Sequence, residues 1–153
     1  MIVTICASLN AHYQILQIER ELKALGYEVV LPIGTRKIKS GEWDLRKLSW
    51  HKRQFKSTAI TMHFDEIKKG DAILVVNQTK LAVKNYIGGN TLMEMGFAYY
   101  LKKPIYILND VPKNMIYTEE IQGVRPIILR GDLRKIRKTH SPERSRGIDI
   151  STH

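Results

Sequence analysis

Short runs free of charge, set between helical or polar stretches, constrain this chain of 153 residues most. Ile2 to Cys6, Ala72 to Val76, Ile105 to Leu108 and Ile127 to Leu129 carry no charged side chain, and Glu28 to Leu31 adds a shorter run stopped by Pro32. Strands apolar on successive residues are covered on both faces, which is the mark of a parallel sheet. The stretches between them supply the covering helices. His12 to Leu25 places Ile15, Ile18, Leu22 and Leu25 at helical spacing before Gly26, and residues 58–69 place Ile60, Phe64 and Ile67 on one face before Gly70-Asp71. Asn90 to Lys102 reads as a third helix, and Asp132 to Ile136 as a helical turn. The expected fold is α/β: a doubly wound, five-stranded parallel sheet of flavodoxin-like order 2-1-3-4-5 with helices on both faces. Ligands in such sheets bind beyond the C-terminal strand ends, at the switch point between strands 1 and 3. Residues 7–13, 77–91 and 109–117 lie at that edge.

The length suits a single domain, read as residues 1–138, followed by a mobile basic tail over 139–153. No apolar run approaches the roughly 18 residues that span a membrane. Met1 to Cys6 lacks the basic start and cleavage pattern of a secretory signal, so a cytoplasmic setting is expected. Cys6 is the one cysteine; it lies in an apolar strand and reads as a small core residue.

The net charge of +10 is uneven. Residues 34–57, a polar connection with a helical piece around Leu45 to Lys56, hold eight Lys/Arg against Glu42 and Asp44. Residues 134–153 hold six against Glu143 and Asp149, and the rest of the chain balances at eleven and eleven. Basicity confined to an insertion and a tail fits phosphate-bearing ligands or nucleic acid, and fits a solvated face equally. Trp43 and Trp50 within the insertion either stack a base or anchor the connection onto the domain.

The run from Tyr86 to Ala98 contains one charge within its helical part, Glu94. Gly88-Gly89 before it allows close approach of a ligand. Two readings stand. Thr91 and Glu94 have the T-x-x-E spacing of a capping box. Alternatively, Glu94 faces the switch-point crevice as a nucleophile, since a carboxylate can attack an anomeric carbon and form a glycosyl ester.

The segments Gly70 to Asn77, Gly88 to Ala98 and Lys103 to Leu108 together resemble the nucleoside 2-deoxyribosyltransferase-like superfamily, which includes deoxyribosyltransferases and nucleoside 5′-monophosphate N-glycosidases. The likeness spans roughly residues 1–130. It implies that Glu94 is the nucleophile, that Ser8 and Gly88 to Thr91 surround the sugar or its 5′ substituent, and that the protein is a homo-oligomer. His63 stands where the family commonly starts a helix with Asp, and is the candidate general acid or sugar ligand. Ala7-Ser8-Leu9-Asn10 lacks the family's Arg, and Ile2 to Cys6 lacks its Tyr.

The expected activity is cleavage or exchange of a nucleoside or nucleotide N-glycosidic bond. Glu94 and His63 are the candidate catalytic pair. Ser8, Asn10, Asn77, Gly88, Gly89, Asn90 and Thr91 are the candidate substrate contacts. A binding domain that senses a nucleotide without cleaving it, or a nucleic-acid partner held by 34–57 and 134–153, are the alternatives. No Cys/His cluster has metal-ligand spacing and no Walker loop is present, so no metal or organic cofactor is implied. Asp71 reads as a turn residue.

Overall fold

A computed structural model describes residues 1–138; the basic tail expected over 139–153 lies outside the described residues. Five strands form one parallel sheet of order β2-β1-β3-β4-β5, the order expected from the alternation. They are β1 (Ile2–Ala7), β2 (Glu28–Val30), β3 (Ala72–Val76), β4 (Ile105–Ile107) and β5 (Ile127–Ile128). The helices are α1 (His12–Ala24), α2 (Ile33–Lys39), α3 (Leu48–Lys69), α4 (Gly89–Tyr100) and α5 (Thr118–Gly123). The turn expected near Asp132 is a 3-10 turn over Leu133–Lys135. None of the helices is long and apolar enough to cross a membrane, among the described residues.

Strand alternation divides the core. Val3, Ile5, Ala72, Leu74, Val76, Tyr106 and Leu108 pack on the side of α1, with Ile15, Ile18 and Leu22. Cys6, Ile73, Val75, Ile105 and Ile107 pack on the other side, with Ile67 of α3, Met95 and Ala98 of α4, and Ile121 of α5. Both sheet faces are therefore covered, as the charge-free strands require. Cys6 is fully buried among these residues.

The basic insertion departs from its reading as a connection. It opens with α2 and continues through a 3-10 turn over Leu45–Lys47 into α3, a single 22-residue helix where two separate pieces were expected. No Gly or Pro falls between Leu45 and Lys69, so nothing in the backbone interrupts the helix. Trp43 anchors this segment. Its indole is buried, stacks on His51 at 4.9 Å between centroids and leans on Phe55. Trp50 is exposed.

Two other motif residues are structural. The Asp71 carboxylate accepts from the Ile2 amide at 2.7 Å and ties β3 to β1. The Lys103 ammonium donates to the carbonyls of Lys68, at 2.7 Å, and Gly70, closing the C-terminal end of α3. Tyr99 and Tyr100 at the end of α4 are exposed.

Candidate active site

Register places the site. Ala7 pairs with Val76, so the chain leaves β1 and β3 side by side at the C-terminal edge of the sheet. A cavity of about 260 Å³ opens there. One wall is the stripe Lys52, Phe55, Lys56, Ala59, Ile60 and His63, which recurs every three or four residues down a single face of α3. The facing wall is the first turns of α4: Gly88, Gly89, Asn90, Thr91 and Glu94. Ala7 and Ser8 form the floor, Gly34 and Trp43 come from the insertion, and Lys80 and Tyr86 from the loop after β3.

The start of α4 overturns the capping-box reading. Gly88 is the N-cap, with φ −79° and ψ 169°, and Thr91 lies inside the helix and is buried. Glu94 is thus in the second turn, beyond reach of any capping role. Its side chain is 13% exposed and Oε2 has no hydrogen-bond partner among the described residues. His63 Nε2 lies 3.7 Å from that oxygen and 3.6 Å from Cys6 Sγ. His63 sits in the last third of α3, not at a helix start. Phe64 and Phe97, each next to or one turn beyond these residues, stack at 4.4 Å and lock α3 against α4.

Burial governs the electrostatics. It raises the Glu94 carboxyl to about 7, although Cys6 and Lys56 pull the other way. Burial, helped by the Arg36 guanidinium, lowers His63 to about 4, against a smaller upward pull from the Ile5 carbonyl. Burial also drives the Cys6 thiol well up, with the Glu94 charge adding to it. At pH 7 His63 is therefore neutral, and its proximity to Glu94 is not an ion pair. Lys52 is pushed below its ordinary value by burial and by Lys80 and Lys56. Those three lysines make no ion pair with a carboxylate among the described residues. The cavity therefore combines unpaired cations, one carboxyl of variable charge and the exposed amides of a helix start, a surface suited to an anionic ligand.

The residues singled out in the sequence separate into two groups. Ser8, His63, Gly88, Gly89, Asn90, Thr91 and Glu94 line the cavity together. Asn10 and Asn77 do not. Asn10 is exposed on the 3-10 turn Leu9–Ala11, its amide bonded to Ser8 Oγ at 3.4 Å. Asn77 is fully buried and spends its side chain on loop cross-links. Its Nδ2 donates to the carbonyl of Asp110 at 3.0 Å and its Oδ1 accepts from the Asn109 amide at 2.9 Å. Lys80 and Tyr86 join the cavity from outside the expected contacts, whereas Lys52 and Lys56 belong to the basic insertion expected to suit phosphate-bearing ligands or nucleic acid. The signal for the α3 pair lies in the helical spacing of residues 52, 56, 59 and 63.

Lys80 is delivered by a tight hairpin. Lys80 and Val83 exchange both backbone hydrogen bonds, at 3.1 and 2.9 Å, around Leu81 and Ala82. Both central residues have positive φ, 51° and 59°. Leu and Ala carry no turn signal for that conformation, which glycine or asparagine ordinarily supplies. The Lys80 ammonium lies 3.5 Å from Ser8 Oγ and 5.6 Å above the Tyr86 ring.

Cys6, His63 and Glu94 also form a compact donor set, with Sγ, imidazole nitrogen and carboxylate oxygen all within 4.8 Å of one another. They come from β1, α3 and α4, so no local spacing announces them.

Together these observations define a doubly wound α/β fold with a cavity at the switch point between β1 and β3, where such sheets place their ligands. No family model matches the chain, and no curated protein matches it. Two solved structures are similar to it. One is a 2-deoxyribosyltransferase from the psychrotolerant bacterium Bacillus psychrosaccharolyticus, 18% identical, with 71% of this chain and 72% of that one covered and a TM-score of 0.47. The other is the CMP N-glycosidase BcmB of Clostridium botulinum, 15% identical, with 84% and 88% covered and a TM-score of 0.47.

Proposed function

We propose that this protein cleaves or exchanges the N-glycosidic bond of a nucleoside or nucleoside 5′-phosphate, with Glu94 as nucleophile, and that it is a member of the nucleoside 2-deoxyribosyltransferase-like superfamily. The observation that carries the reading is the Glu94 carboxyl itself: a largely buried acid with an unpartnered oxygen, facing a cavity at the switch point. An oxygen left unbonded in such a place costs stability, and buried groups of that kind cluster at functional sites.

In the proposed reaction Glu94 Oε attacks the anomeric carbon as the bond from that carbon to the base breaks. The base leaves with the bonding pair and takes a proton from solvent. Water or an acceptor base then attacks the same carbon, gives up a proton to solvent and releases the carboxylate. His63, held neutral by burial, is better suited to hydrogen-bond the sugar or Glu94 than to donate a proton. Lys52, Lys56 and Lys80, with the first amides of α4, favour a substrate that carries phosphate. The same proposal includes a homo-oligomer.

A chromatographic screen for free base tests it. A panel of nucleosides and 5′-monophosphates is incubated with the protein and with Glu94→Gln, with and without an acceptor base. Base release or exchange by the native chain, lost in the variant, is the expected result. A folded protein that binds a nucleotide equally well with either residue, and turns none over, replaces this reading with that of a nucleotide-binding domain. One observation favours that second reading: a carboxyl near 7 is only partly ionised at neutral pH.

A further inference from the structure

We propose that Cys6 Sγ, His63 Nε2 and Glu94 Oε2 bind a divalent cation of the zinc type, with its remaining coordination position open to the cavity. Ligand atoms around a tetrahedral zinc lie roughly 3.3–3.8 Å apart, given metal–ligand lengths of about 2.0–2.3 Å. The edges Cys6–His63 and His63–Glu94 measure 3.6 and 3.7 Å, and the third closes within 4.8 Å. The spacing is therefore that of a tetrahedral face, with at most about an ångström of closure on one edge.

The groups themselves are free for the task. Glu94 Oε2 has no hydrogen-bond partner among the described residues. The His63 side chain is 6% exposed, and its Nε2 stands against the other two donors. A thiolate, an imidazole and a carboxylate together suit zinc or cobalt and disfavour magnesium and calcium, which prefer oxygen alone. His63 and Glu94 line the cavity, which supplies both an entry path and room for a water on the ion. Carriage on three different elements holds the donors in place: β1, an inner strand of the sheet, and α3 and α4 clamped by the Phe64–Phe97 stack.

A bound ion would occupy the oxygen that the glycosidic reaction uses. Occupancy and glycosyl transfer are then mutually exclusive, and zinc acts as an inhibitor that a chelator reverses. The metal site does not depend on the glycosidic reading, because its geometry stands whether or not a base is released.

Cobalt titration of the metal-free protein decides the matter. The chain has one cysteine, so a thiolate-to-cobalt charge-transfer band in the near ultraviolet can only report Cys6. The expected result is such a band, saturating at a single equivalent and removed by zinc. Cys6→Ser abolishes it, and Glu94→Gln weakens cobalt binding by roughly tenfold or more. Circular dichroism checks that each variant folds. Should Cys6→Ser not fold, the native band and its response to Glu94→Gln still decide. Absence of the band at saturating cobalt overturns the proposal. So does a band of undiminished affinity in Glu94→Gln, which would mean binding by the thiol without the carboxylate. A base-release assay that fails while the cobalt band appears removes the glycosidic reading and leaves the metal site standing.

Discussion

At the scale of residues, two buried groups 3.7 Å apart shift in opposite directions, and the consequence is measurable. Glu94 is raised from 4.5 to about 7 in the folded protein, so the fold favours its protonated form. That contribution to stability is complete below about pH 4.5 and is lost as pH rises to about 7. His63 is lowered from 6.5 to about 4, so its contribution is complete above about pH 6.5 and is lost as pH falls to about 4. Each is worth roughly 3 kcal/mol at 1.36 kcal/mol per unit. The two slopes oppose each other over nearly the same interval, and urea unfolding of metal-free native protein should show little pH dependence from this pair. Glu94→Gln should unmask the rise with pH from His63, and His63→Gln the fall from Glu94. Equal pH slopes in both variants would show that neither group is shifted. If Glu94 is the nucleophile, kcat/KM for base release should also climb about tenfold per unit below pH 7 and level off above it, since only the carboxylate attacks.

At the scale of elements, the cavity depends on how two segments are held. The hairpin that carries Lys80 places Leu81 and Ala82 in the left-handed region. Ala82→Gly should relieve that conformation and stabilise the protein by about 1 kcal/mol, read as a higher denaturation midpoint. A midpoint that falls would mean that the hairpin is not strained at this position. The turn between α3 and β3 has the opposite requirement. A Cβ at Gly70 would stand 2.7 Å from Thr4 Oγ1, which is fully buried on the inner strand β1. Gly70→Ala should cost about 1–3 kcal/mol for that overlap, measured in the same way. Glycine 89 differs from both: a Cβ there meets nothing within 4 Å, so alanine leaves the fold intact and adds bulk only beside the cavity.

Viewed as a whole, the molecule joins a neutral α/β core to a basic segment, and that segment is built into the site. Trp43 and α3 turn Lys52 and Lys56 into the cavity, where Lys80 meets them from the other side. Binding of a nucleoside 5′-monophosphate, followed by calorimetry, should weaken as salt is raised. Lys52→Ala should lower its affinity several-fold, by about 1 kcal/mol. The parent nucleoside should respond weakly to both. Equal loss for phosphorylated and unphosphorylated ligands would place the lysines away from the phosphate. The basic charge read along residues 34–57 thus has at least two members facing a small-molecule cavity, which an argument from net charge could not distinguish from a nucleic-acid surface.

The fold class was legible because it depends on local patterns. Charge-free strands and helical spacing dictate burial on both faces, and right-handed crossovers leave few orders for five parallel strands. Glu94 was legible for a similar reason, being a lone charge in an apolar helix. What the sequence could not settle were the facts that depend on distance across elements. Whether Thr91 caps a helix depends on where the helix begins, and Gly88 and Gly89 begin it earlier. Asn77 looked placed for a ligand, but the loop after β4 folds back and consumes its amide. Cys6, His63 and Glu94 are separated by 57 and 31 positions, and only packing of α3 and α4 over β1 brings their donor atoms within 4.8 Å. Local periodicity dictated the sheet and the edge at which the cavity opens, because hydrophobic burial acts through the spacing of near neighbours along the chain. Tertiary structure alone decided the charge states and partners inside the cavity, because desolvation and contact depend on neighbours that are distant along the chain.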